Sequence, residues 1–238
     1  MEEMKQWIEH HKRILQKAAG ALLAFVVGAC LVFMIHPVKT LPKDRLLSLS
    51  RMQEASQQFV APSSKEPALE DLLSLELARG EGKVQKSWVT LSAFVKKFGK
   101  AASFTQEDTS FGAQVQLGYG ASVKGLYPYT IEFQKQDDDF YLSSIQGFAP
   151  KSSHYQSKKD LKQADFTGYQ TLDGKKEKGT AVEEVLKKSG LPNSLSLTSV
   201  KDKQVLALSY QVTDGLVSLT FERDQSGQYR LTKKGWST

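Results

Sequence analysis

Leu91-Ser92-Ala93-Phe94-Val95-Lys96-Lys97-Phe98-Gly99 and Val182-Glu183-Glu184-Val185-Leu186-Lys187-Lys188-Ser189-Gly190 carry one pattern twice, at an offset of 91 residues. In the first, Leu91, Phe94, Val95 and Phe98 fall at i, i+3, i+4 and i+7. In the second, Val182, Val185 and Leu186 keep that spacing, so each stretch presents one apolar helical stripe. Gly99 and Gly190 follow the stripes, where a left-handed C-terminal cap is expected. Thr90 and Thr180 stand near the starts as candidate N-caps.

Outward from these helices the offset persists at Leu117-Gly118-Tyr119 and Leu208-Ser209-Tyr210. It resumes at 88 for Phe133 and Phe221, Tyr141 and Tyr229, and Gly147-Phe148 and Gly235-Trp236. The period there is two. Val115, Leu117 and Tyr119 alternate, as do Tyr129–Phe133 and Val217–Phe221, with polar turns at Asp137-Asp138-Asp139 and Asp224-Gln225-Ser226-Gly227. A helix followed by a three-stranded antiparallel meander is therefore the expected unit, present twice. Pro150–Lys159 is polar and basic and reads as a linker between the two.

Ala18–Ile35, AAGALLAFVVGACLVFMI, carries no charge, hydroxyl or amide. At about 1.5 Å per residue it spans roughly 27 Å, close to the hydrocarbon thickness of a bilayer. Lys5, Lys12, Arg13 and Lys17 precede it, which places the N-terminus in the cytoplasm and the rest outside. A cleaved signal peptide and a lipoprotein anchored at Cys30, within Val27-Gly28-Ala29-Cys30, are the alternatives. The length of the apolar run, and its continuation through Leu31–Ile35, favour an uncleaved anchor. The expected order is a cytoplasmic N-terminus (1–17), a transmembrane helix (18–36), a helical membrane-proximal stalk (37–80), a first α+β repeat (81–149), a linker (150–164) and a second repeat (165–238). The expected location is the cell membrane, single-pass, with the C-terminal part extracytoplasmic.

The net charge is +6 over 238 residues. Removing the four basic and three acidic residues before position 18 leaves +5, a mild excess suited to an anionic wall polymer and well short of a dedicated nucleic-acid binder. One cysteine excludes an intramolecular disulfide and any Cys-cluster metal site. Beyond Pro37 the only histidine is His154, inside the linker, so a hydrolytic triad has no base to build on. Asp137, Asp138 and Asp139 are consecutive and lack the spacing of a calcium loop. No phosphate loop or dinucleotide fingerprint is present. The expectation is no catalytic residue, no metal and no cofactor.

Gly179-Thr180 before the second helix and Gly190-Leu191-Pro192 after it resemble the turns of the SmpA/OmlA (BamE-like) domains and their relatives of the beta-lactamase-inhibitor-protein type. The first stretch keeps Thr90 and Gly99 but has Ala101 in place of the proline. The resemblance implies helices packed on a small antiparallel sheet. It also implies a non-catalytic role, as envelope assembly factor, scaffold or inhibitor, with aromatic residues on a concave sheet contacting the target. Phe133, Phe221, Phe148 and Trp236 recur in both stretches and are expected in the core. Trp88, Tyr127 and Tyr129 have no counterpart and are the candidate contact residues. The expected partner is another cell-envelope protein. A sensor or ligand-binding module for a wall polymer or peptide is the alternative, and a polar pocket between the two units would distinguish it.

Overall fold

The computed structural model describes residues 57–79, 83–109, 112–172 and 179–237. All of them belong to the unit Pro42–Thr238. Eight strands form one sheet in sequence order, every neighbouring pair antiparallel: β1 (Ser103–Thr109), β2 (Gly112–Tyr119), β3 (Tyr129–Gln136), β4 (Asp139–Phe148), β5 (Ser194–Val200), β6 (Lys203–Val212), β7 (Gly215–Arg223) and β8 (Tyr229–Ser237). Among the described residues it is accompanied by the helices α1 (Leu69–Leu73), α2 (Leu91–Phe98) and α3 (Val182–Ser189), together with a 3-10 turn at Gln163–Phe166.

This corrects the expectation of two repeated units, each a helix on its own small sheet. β4 pairs with β5 in register from Ser144↔Thr198 to Phe148↔Ser194. The buried side chains of both halves form one cluster. The physical reason is the edge: separate small sheets would each leave two rows of unpaired N–H and C=O groups, and joining them at β4–β5 satisfies two of those rows. The recurrences seen in the sequence are local features of this one sheet. β-bulges fall between Glu132 and Phe133 and, 88 residues on, between Thr220 and Phe221.

The structure also stands against the single-pass anchor and the cell-membrane, extracytoplasmic location derived from it. Among the described residues no helix is long and apolar enough to cross a membrane. The longest named helices have eight residues, about 12 Å where a bilayer core needs about 30 Å. Residues 18–36, to which the anchor was assigned, lie outside the described residues.

Alternation along the strands decides which face is covered. Val115, Leu117, Tyr119, Tyr129, Ile131 and Phe133 are buried, while Gln116, Thr130 and Glu132 between them are not. The helices pack on that buried side. Phe94 of α2 sits among Phe98, Tyr119 and Phe133, with ring centroids 4.5, 5.7 and 5.4 Å away. Phe166 lies 5.0 Å from Tyr210 in the other half. Leu69, Leu72, Leu75 and Leu77, in the stretch assigned by sequence to a stalk, are in the same core. That stretch is tied down further by Ala78 N–H to Leu142 O (2.7 Å) and Arg223 Nη1 to Leu75 O (3.3 Å).

Helices α2 and α3 each end on a glycine in left-handed φ, Gly99 at +83° and Gly190 at +76°. A tyrosine from the sheet holds each cap: Tyr119 Oη donates to Gly99 O at 2.8 Å, and Tyr210 Oη to Gly190 O at 3.1 Å. Burial pushes the Tyr210 hydroxyl far above the ordinary tyrosine range, so it stays a donor. At the other ends the two helices differ. Thr90 Oγ1 accepts from Ala93 N (3.2 Å) as expected, whereas Ala181 is the N-cap of α3 and Thr180 Oγ1 instead accepts from Gln170 N (2.8 Å).

The β7–β8 turn is held by one carboxylate. Asp224 accepts from Ser226 Oγ and N, Gln228 N and Arg230 Nε. The Ser226 hydroxyl first, then the Gln228, Arg230 and Ser226 N–H groups, lower its pKa from 3.8 to about 2, outweighing burial, which raises it and ranks second after the Ser226 hydroxyl. A depressed folded-state pKa stabilises above the unfolded value and loses that stabilisation as pH falls through the folded one. The urea midpoint is therefore expected to drop between pH 4 and pH 2, and Asp224→Asn to flatten that drop. Equal slopes in the two proteins would show that the turn carries no such linkage.

Candidate protein-binding surface

The face of the sheet away from the helices is bare among the described residues. Its middle strands carry small side chains, Ser144 on β4, Ser196 on β5, Ala207 and Ser209 on β6 and Ser218 on β7, aligned by the register. The polar groups there largely satisfy one another. Glu132 accepts from Gln116 Nε2 (3.2 Å) and Ser144 Oγ (2.5 Å), and Gln146 Nε2 donates to Ser196 Oγ (3.0 Å).

One end of this face is apolar. Gly147 points into the core, where a Cβ would meet Leu195 and Tyr129, so the next residue, Phe148, points onto the bare face and is 55% exposed. Tyr127 approaches the same face from the β2–β3 loop. A Cβ at Gly118 would lie 2.5 Å from its ring, so the ring rests over a glycine whose neighbours Leu117 and Tyr119 face the core. Beyond Tyr127 the loop folds into a two-residue hairpin, with Val123 N to Leu126 O at 2.8 Å and Leu126 N to Val123 O at 3.0 Å. Lys124 and Gly125 take φ of +52° and +82°, the signature of a primed turn. Val123 and Leu126, at 69% and 62%, are the most exposed large apolar residues described.

Of the three contact residues expected from sequence, only Tyr127 reaches this surface. Trp88 is buried against Tyr141 (ring centroids 6.0 Å apart, edge-on), and Tyr129 is fully buried on the core side of β3. Phe148 and Trp236, expected in the core, are instead exposed. Trp236 pairs with Val217 and so lies on the helix side of the sheet. Sequence reasoning missed Phe148 because its recurrence with Trp236 reads as a shared core position, whereas the bulge at Glu132/Phe133 shifts the parity of β4 and turns Phe148 to the bare face.

Elsewhere, His154 Nδ1 lies 2.8 Å from Glu70 Oε1. The segment 154–158 and α3 border an open depression of about 780 Å³, whose lining mixes His154, Lys158 and Lys187 with Glu183 and Glu184. Asp137 sits in the β3–β4 turn with φ of +51°. Among the described residues there is no cluster of three or more His, Cys, Asp or Glu side chains placed to hold a metal ion.

Fold and surface together define an antiparallel sheet module, covered by helices on one face and bare on the other. In structure it is similar to a solved chain described as a "putative beta-lactamase inhibitor protein" from Streptococcus mutans. The two share 15% identity and a TM-score of 0.42, over 73% of this chain and 98% of that one. At that level the likeness assigns neither family nor function. No family model matches the chain, and no curated protein does.

Proposed function

We propose that this chain is a non-catalytic module that binds another protein through the bare sheet face, with Phe148, Tyr127 and the Val123–Leu126 hairpin as its apolar anchor. The observation that carries the reading is Phe148, a phenylalanine more than half exposed on an otherwise polar face, at the same end of the sheet as a tyrosine ring seated on Gly118. Aromatic groups presented on a rigid scaffold and rimmed by polar side chains have the make-up of a binding hot spot. The small residues of β4–β7 leave room for a convex partner surface to approach the strands. Inhibiting an enzyme and scaffolding an assembly are both actions of this kind, and they differ in whether the partner's activity falls on binding.

A photo-crosslinking residue at position 148 is expected to capture a discrete partner from cells that make the protein, whereas the same residue at Lys96 on the helix side captures none. Phe148→Asp is expected to weaken the recovered complex at least about 30-fold, the effect of losing a hot spot of about 2 kcal/mol. Capture from position 96 alone, or unchanged affinity in Phe148→Asp, would refute this surface.

A further inference from the structure

The residues that follow Phe148 are held in an unusual way. Ala149 has φ of +46°, left-handed for a residue with a Cβ, and it precedes Pro150. A residue before proline is pushed toward extended conformations, so this φ is disfavoured twice. Such strain persists only where the surroundings impose it. On the upstream side Phe148 N is bound to Pro128 O (2.8 Å), and Ala149 N itself to Asn193 O (2.7 Å).

Downstream, two carboxylates grip the chain. Glu66 Oε1 accepts from Lys151 N (2.5 Å) and Ser152 N (2.9 Å). Glu70 Oε1 accepts from Ser153 Oγ and from His154 N (2.9 Å), and Leu69 N donates to Ser152 O (3.0 Å). Burial pushes the Glu70 carboxyl up, but the hydrogen bonds from Ser153 and from backbone N–H groups hold it below the usual range, so it is charged at neutral pH. Charge-assisted bonds of this kind are the strong ones.

We propose that Glu66 and Glu70 are positioning residues for Phe148: they latch residues 151–154, the latch holds Ala149 in its strained conformation, and that conformation fixes how the Phe148 ring, turned to the bare face by strand alternation, sits there. The consequence for binding rests on the reading above, but the latch does not, and its test needs no partner. The full chain is labelled with 4-fluorophenylalanine at position 148 and, separately, at Phe98 on the helix side. In Glu66→Gln/Glu70→Gln the fluorine line at 148 is expected to shift or broaden while the line at 98 stays, and the amides of residues 151, 152 and 154 to exchange about tenfold faster. Adding Ala149→Gly removes the strain, and the 148 line is expected to return toward its original position. An unmoved 148 line, lines that move together at 148 and 98, or no rescue by Ala149→Gly would each overturn the proposal.

Discussion

Gly190→Ala is expected to lower the unfolding temperature by about 10 °C, and Gly99→Ala by less than half of that. Both glycines cap helices at nearly the same backbone angles, φ +83° and ψ −178° at Gly99, φ +76° and ψ −165° at Gly190. That region is essentially closed to residues with a Cβ, at a cost of about 1–3 kcal/mol. They differ in surroundings. A Cβ at Gly99 meets nothing within 4 Å, whereas at Gly190 it would run into the carbonyl oxygen of Gln156 and lie 3.0 Å from Lys158 N. Those are backbone atoms, and Gln156 O already accepts from Leu191 N (3.3 Å), so neither can swing aside as a side chain does. The added overlap takes the total above about 3 kcal/mol, and for a domain of this size each kcal/mol moves Tm by about 2–4 °C. Scanning calorimetry of the two variants checks it. Equal shifts would show that the contact with residues 156–158 is not rigid.

Phe94→Ala is expected to cost about 3–5 kcal/mol, the range for emptying a buried aromatic position. Phe94 is fully buried and touches the rings of Phe98, Tyr119 and Phe133, so the hole opens where α2 meets β2 and β3. Because the buried cluster is continuous from Leu69 to Leu231, the loss should be felt across the whole sheet. In urea titrations, Trp88 beside α2 and Trp236 on β8, each followed in a chain where the other tryptophans are phenylalanine, are expected to shift by the same amount. A shift confined to Trp88 would mean that the halves unfold separately.

The two predictions also show which parts of the fold were legible. The helices Leu91–Phe98 and Val182–Ser189 and their glycine caps follow from 3.6-residue periodicity, and β2, β3, β6 and β7 from alternation. β1 and β5 were not assigned. β1 reads SFTQEDT, with too few apolar residues to show a covered face, and β5 reads SLSLTSV, whose Ser194 and Ser196 sit on the bare face. Missing β5 meant missing the seam, since β5 joins the halves, and the joined sheet was then expected as two. At the surface, Tyr127 stands out as an aromatic residue without a counterpart, but Phe148 does not, because its recurrence with Trp236 reads as core. Trp88 and Tyr129 were misplaced because an aromatic residue unique to one half can still be part of the core.

The central claim is that β1–β8 form one sheet with one core, which leaves a single bare face for binding. Native-state hydrogen exchange at the β4–β5 seam tests it most directly. The hydrogen-bonded amides of Ser144–Phe148 and Ser194–Thr198 are expected to open only with global unfolding, at the same free energy and the same denaturant dependence as those of β3 and β6. Seam amides that exchange through a smaller opening while β3 and β6 stay protected would contradict it, and would mean two units placed side by side.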